Sequence, residues 1–246
     1  MKPKKPRILI WDVETSLLAV SSFSLCPEFI PIQNIISDWY IICISWKELG
    51  KHKLHSLSIT KKGDDFRIVS EFRKVLMGAD FLIAHNGDKF DMRKFNARLI
   101  YYNLAPLPPI RTIDTLKEIR KVANITSNKL DYLGTFLKIG NKVHTDLGLW
   151  NDVLKGNQKA IKKMVKYNRQ DVRLLESVYL RLRKYFKGKP TMFEGLCCPN
   201  CGSLNFTHQG YYHSKASDYR KFKCKECCSW FKEFMGKKRE QVFKGL

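Results

Sequence analysis

Apolar and polar residues repeat with two different periods along the first three-quarters of the chain. RILIWDV (Arg7 to Val13) is apolar until Asp12, the pattern of a buried strand that ends in charge. DWYIICISWK (Asp38 to Lys47) and KLHSLSI (Lys53 to Ile59) predict two more strands, and Gly50-Lys51 between them predicts a hairpin. Phe66, Val69, Phe72, Val75 and Leu76 then recur at helical spacing, with Gly78 as the stop. ADFLIAH is a fourth strand. DKFDMRKFNARLIYYN is a helix with Phe90, Phe95, Leu99 and Tyr102 near one face, and PPIRTID is a short fifth strand. Three or more helices follow, the last running from about Asn157 to Phe186. Antiparallel strands followed by strand–helix–strand units predict an α/β fold, a mixed five-stranded sheet flanked by helices.

Two stretches break the pattern. Ser16 to Ser37 has no clear period and reads as a loop that covers a site. KYFKGKPTM (Lys184 to Met192) contains Gly188 and Pro190 and reads as a linker, dividing the chain into domains 1–187 and 188–246. The second is too small for a core of its own and needs a staple.

The 246 residues carry a formal charge of +22, an excess that calls for a polyanionic partner. Nucleic acid fits, because the basic residues are spread along the whole chain. No long helix sets a basic face against a Trp/Phe/Leu face, and there is no long uncharged apolar stretch, so no membrane partner is expected. MKPKKPR is basic, but the apolar run after it stops at Asp12, too early for a signal peptide. Six of the eight cysteines lie between 197 and 228, which points to metal rather than disulfides and to a reducing intracellular compartment, cytoplasm or nucleus.

Candidate chemistry begins at the end of the first strand. Alternation puts Ile8, Ile10, Asp12 and Glu14 on one face, and two adjacent carboxylates repel unless a cation lies between them. A plain strand end with both acids solvated explains Asp12 and Glu14 equally well. In LIAHNGDKFDMRKF, Asp88 fits a helix N-cap and Asp91 the first turn, while Asn86 fits a turn or a substrate contact. Tyr167 and Asp171 are four residues apart and share a helix face. Asp114 reads as the cap of the helix starting at Thr115, and His144 as structural or a phosphate contact.

Each clue is weak alone, but their order is informative. Asp12/Glu14, N-x-x-x-F-D ending at Asp91, and Y-x-x-x-D from Tyr167 to Asp171 resemble the three motifs of the DEDD 3′–5′ exonucleases of the ribonuclease H-like superfamily, in their tyrosine-containing subgroup. IDTLK, NKLDYLGTFL and YNRQDVRLLESVY look similar to the exonuclease domain of family B DNA polymerases. The resemblance covers roughly residues 7 to 185. It implies a ribonuclease H-like fold and hydrolysis of phosphodiester bonds with two Mg²⁺ or Mn²⁺ ions. Asp12 would bridge both ions, Glu14 and Asp171 would complete the shell of the first, and Asp91 would hold the second. Tyr167 would orient the attacking water with Glu14. The implied substrate is DNA with a 3′ end, and any polymerase or repair partner would act in trans. A non-catalytic nucleic-acid binder, a ribonuclease or a structure-specific nuclease on the same scaffold are the alternatives.

Cys198-Pro-Asn-Cys201-Gly and Cys224-Lys-Glu-Cys227 are two C-x-x-C knuckles, the spacing of a Cys₄ site for one structural Zn²⁺. The pattern resembles a zinc ribbon, with Cys228 where glycine is common. Cys197 and Cys228 adjoin the pairs as competing ligands. Between the knuckles, aromatic and basic residues interleave, and Tyr212, Arg220, Lys221 and Lys223 are candidate nucleic-acid contacts. Ribbon strands need aromatic packing in any case, so the two explanations weigh equally.

Overall fold

The structure is a computed structural model that describes residues 6–25, 27–140, 146–186 and 195–237. His144, Cys26, most of the expected linker and the 187/188 boundary lie outside these residues. The chain divides into two compact units, Arg7–Leu182 and a second that runs from Arg183 onward.

In the first unit, β1 (Ile8–Thr15) lies at the centre of the sheet. A small antiparallel pair follows, β2 (Ala19–Val20) with β3 (Ile35–Ser37). β4 (Ile41–Glu48) and β5 (Leu54–Ser58) form the expected hairpin. After α1 (Phe66–Met77) come β6 (Phe81–Ala84), α2 (Asp91–Tyr101) and β7 (Arg111–Asp114). The order β5-β4-β1-β6-β7 is mixed: β1 pairs antiparallel with β4 and parallel with β6, and β6 pairs parallel with β7. This is the five-stranded α/β sheet that the periodicity predicts. Four helices complete the unit: α3 (Thr115–Val122), α4 (Leu130–Phe136), α5 (Leu147–Leu154) and α6 (Gln158–Leu182). Among the described residues, no helix is long and apolar enough to cross a membrane.

The two faces of β1 have different fates. Trp11 lies opposite Trp46 of β4 and packs on α1 and α2, its ring 5.3 Å from Phe72 and 6.3 Å from Phe95. The other face of β1 turns its acids toward α6, where Asn168 hydrogen-bonds Asp12. Burying the large rings Trp11, Phe72 and Phe95 contributes roughly 1.5–3 kcal/mol each or more, enough to fix which face is which. Asp65, fully buried before α1, accepts from Arg98 of α2, from Tyr102 just after it and from the N–H of Ile41. That buried pair, costly to break from one side, fixes α2 against the sheet.

Three expectations need correction. The segment Ser16 to Ser37 is not wholly irregular, since β2 and β3 pair within it. Asp88 is not the cap of α2: the helix starts at Asp91, and Asp88 sits in the preceding turn paired with Lys117 at 2.7 Å. Phe90 does not share the buried face with Phe95 and Leu99; it is 40% exposed, and those two anchor the helix.

In the second unit, β8 (Phe206–His213), β9 (Ser217–Cys224) and β10 (Trp230–Lys237) form an antiparallel sheet with β9 in the middle. Few side chains of residues 195–237 are buried; Phe222, Cys198 and Cys224 are the most enclosed of them.

Candidate active site

β1 carries its two acids to the point where the ladder with β4 shifts register, between Glu14 and Thr15. One carboxylate oxygen each from Asp12, Glu14 and Asp171 lie within 4.8 Å of one another. Asp171 is 3% exposed, so α6 brings a nearly dehydrated acid down onto two others. Three carboxylates at this separation repel strongly in a partly dry cleft, and hard oxygen donors so arranged suit Mg²⁺ or Mn²⁺. Cys43 lies opposite Glu14 and is fully buried. Burial, then Glu14 and Asp12, push its thiol well above the usual range, so it stays neutral and adds no soft ligand.

Asp91 opens α2 and lines the same cleft, but does not join the group of three. Its Oδ1 accepts from the N–H of Val13, the residue between the two β1 acids, at 3.0 Å. Gly87 lets the turn pass this close: a Cβ there would lie 2.2 Å from that of Ala84. Asn86, with φ of 65°, is held in that turn by the carboxylate of Asp114, which accepts from its N–H at 2.9 Å. Asp114 also caps α3, accepting from the N–H groups of Leu116 and Lys117. His85 Nε2 donates to the carbonyl of Asn128 at 2.8 Å, tying the rim of the cleft to the end of β6.

Burial raises the Asp91 carboxyl to about 7, against the pull of the Val13 N–H and with a smaller push from Asp114. The native state then keeps a proton that the unfolded chain has already released. Stability without a divalent cation falls as pH rises from about 4 through about 7. The expected result is a lower urea midpoint at about pH 8 than at about pH 5, with the difference reduced in Asp91→Asn. An undiminished difference in that variant would assign the effect to other groups.

Tyr167, 6% exposed, lines the cleft beside Asp171, and Trp150 of α5 backs it edge-on at 6.2 Å. Trp150 in turn donates to the carbonyl of Thr15, at the end of β1. One contributor was missed in the sequence. Asn168, fully buried, donates from Nδ2 to Asp12 Oδ2 at 2.7 Å and sets the rotation of that carboxylate. Its position next to Tyr167 was the available signal, but helix phase alone does not say that it reaches β1. The cleft measures about 730 Å³ and is also lined by Phe90, Arg120 and Lys129.

Cys198, Cys201, Cys224 and Cys227 form a second group, their sulfurs within 4.8 Å of one another. Cys198–Cys227 and Cys201–Cys224 are 3.5 and 3.6 Å apart. A tetrahedral ion with ligand bonds of about 2.3 Å needs sulfurs about 3.8 Å apart, so the four fit Zn²⁺. Backbone N–H groups of Asn200 and Cys201 point at Cys198, and that of Ser203 at Cys201. Without a cation the thiols compete: burial and the other cysteines push Cys201 up to about 12. Against burial, Ser229 and Asn200 hold Cys227 at about 6. Cys197 and Cys228 stand outside the group.

Gly202 and Cys228 follow the two knuckles, both with positive φ, 80° and 55°. A side chain in that left-handed conformation costs about 1 kcal/mol. Cys228→Gly is therefore expected to stabilise the second unit by about that amount, read as later zinc loss to a chelator on warming. Earlier loss would mean that the Cys228 thiol contributes more than its backbone costs. Of the candidate nucleic-acid contacts, Tyr212, Lys221 and Lys223 share one face of the three-stranded sheet, while Arg220 is on the other, paired with Glu233 at 2.7 Å.

A family profile described as the RNase H superfamily matches residues 36–183, a span that contains Asp91, Tyr167 and Asp171 and starts after Asp12 and Glu14. The fold is similar to the family B DNA polymerase of the hyperthermophilic archaeon Pyrobaculum calidifontis, with a TM-score of 0.51 and 14% identity. The match covers 74% of this chain and 26% of the polymerase. No curated protein matches the sequence.

Proposed function

Because the chain belongs to the RNase H superfamily, whose members are usually nucleases, we propose that it is a metal-dependent 3′–5′ exonuclease of the tyrosine-containing DEDD type, acting on DNA. The observation that carries this reading is the convergence of Asp12, Glu14 and Asp171 in a cleft that Asp91 and Tyr167 also line. The motif order, the net charge of +22 and the likeness to a DNA polymerase support it.

Asp12, Glu14 and Asp171 would hold one divalent ion, and Asp91 with Asp12 would hold a second. When bound, such ions offset the charge of a phosphodiester and make hydroxide available near neutral pH. The chain's own residues do the rest. Asn168 keeps Asp12 in one rotamer. The Tyr167 hydroxyl, with Glu14, orients the attacking water; a phenol is too weak a base near pH 7 to take its proton. Phe90 offers an exposed ring to the terminal base, and Arg120 and Lys129 attract the phosphates behind it. The four-cysteine group would hold Zn²⁺ as the staple of a zinc ribbon that helps to grip the strand.

A timed digest of 5′-labelled and 3′-labelled single- and double-stranded DNA and RNA with Mg²⁺ or Mn²⁺ tests the reading. A ladder shortening from the 3′ end of DNA is expected. Cutting of covalently closed circles, or RNA-only cleavage, would replace it with an endonuclease or a ribonuclease.

A further inference from the structure

The sheet β8–β9–β10 has two unlike faces. In its register Lys223 lies opposite Trp230, Lys221 opposite Lys232, Tyr219 opposite Phe234, and Tyr212 opposite Tyr219. Alternation puts all of these on one side. The ring contacts agree: Lys232 Nζ is 4.5 Å from the Tyr212 ring and 4.3 Å from that of Tyr219. Lys221 and Lys223 lie 5.6 and 5.8 Å from the Trp230 ring. The other side carries Phe206, Phe222 and Phe231, packed on one another at 5.2 to 5.3 Å, and the Arg220–Glu233 pair. On the first side Tyr219 also packs on Tyr212 and Phe234, at 5.9 and 5.7 Å, but these rings do not enclose one another.

The first side is left with rings in water. Trp230 is 57% exposed, Phe234 56% and Tyr212 45%. Three lysines stand among them, and no acid shares the face in the paired register. Rings held open by strands and flanked by cations suit a polyanion that also has flat apolar groups. We propose that this face docks single-stranded nucleic acid, its bases stacking on Trp230, Phe234 and Tyr212 while Lys221, Lys223 and Lys232 meet its phosphates. Trp230 and Phe234 are four residues apart on one strand, about 13 Å, which leaves room for separate unstacked bases. Bases inside a duplex have no free faces, so the platform discriminates against double strands. This deepens the exonuclease reading, on which it rests only for the reason a strand should be held.

The test is fluorescence anisotropy with a 5′-fluorescein-labelled single strand of twenty deoxythymidines, using the full chain carrying Asp12→Ala so that no cleavage intervenes. Trp230→Ala with Phe234→Ala is expected to weaken binding about 10-fold or more at fixed salt. Trp230→Phe should restore most of the Trp230 share. Lys221→Glu, Lys223→Glu and Lys232→Glu together should flatten the dependence of log K on log salt. Tyr211→Ala, on the opposite side, should change affinity less than about twofold. Zinc content reports whether each variant keeps its fold. Ring variants that hold zinc and bind as tightly as the parent would overturn the proposal. So would equal losses on a duplex of the same length, or ring-dependent binding to anionic phospholipid vesicles without ring-dependent binding to the oligonucleotide. Ring-dependent binding by a wild-type chain that shortens no labelled strand would sink the exonuclease and leave the platform standing; cleavage with ring-independent binding is the reverse.

Discussion

Asp12→Ala is expected to lower metal-dependent cleavage by about 10³- to 10⁶-fold, about 4–8 kcal/mol on the barrier. Asp12 is the one acid that the proposed arrangement uses for both ions, so no neighbour substitutes for it. The fold should survive. Losing the bond from Asn168 leaves a buried amide short of an acceptor, at a cost of about 1–3 kcal/mol, but it also removes one of three mutually repelling carboxylates. Single-turnover cleavage of a 5′-labelled strand, with thermal melts in parallel, checks both halves. Activity within about tenfold of wild type in a folded variant would remove the site from the chemistry.

Cys224→Ser carries the other large effect, and it falls on stability. Cys224 is fully buried, and little else in the second unit is. A sheet with so thin a core cannot offset its chain entropy without help. Structural zinc in comparable small modules contributes about 10–16 kcal/mol, so losing one thiolate ligand should unfold the sheet rather than loosen it. Zinc should drop from one ion per chain toward none. Amide exchange should become fast through β8, β9 and β10 and stay slow in β1, β4 and α6. Retained zinc with slow exchange in β9 would mean that the sheet stands without its metal.

The strands of the main sheet were legible because they obey simple rules. Apolar runs such as Ile8–Trp11 and Ile41–Ile44 can only be strands or buried helix, and their length and flanking turns decide. β2 and β3 were not legible, because they are two and three residues long and expose Ile35 and Ile36. Asp88 misled because its spacing to Asp91 mimics a capping box; the ion pair to Lys117, brought by a different element, won. The acids were read as a set from their order along the chain, and Asp12, Glu14 and Asp171 do lie together. Their spacing gave no hint that Asp91 would sit apart, held by the Val13 N–H. In the second unit, alternation separates Arg220 from Lys221, but assigning the flanking strands needs the shifts between His208 and Tyr211 and between Phe234 and Gly236.

The alternation along β1 also limits which sequence changes this chain can tolerate. Deleting one residue between Ile8 and Trp11 would not slide the acids by a few ångströms; it would turn them over. Asp12 and Glu14 would then be aimed at Phe72 and Phe95, and an indole would take their place under α6. A one-residue change of length between Ile8 and Glu14 should therefore be far more damaging than one in the excursion between β2 and β3.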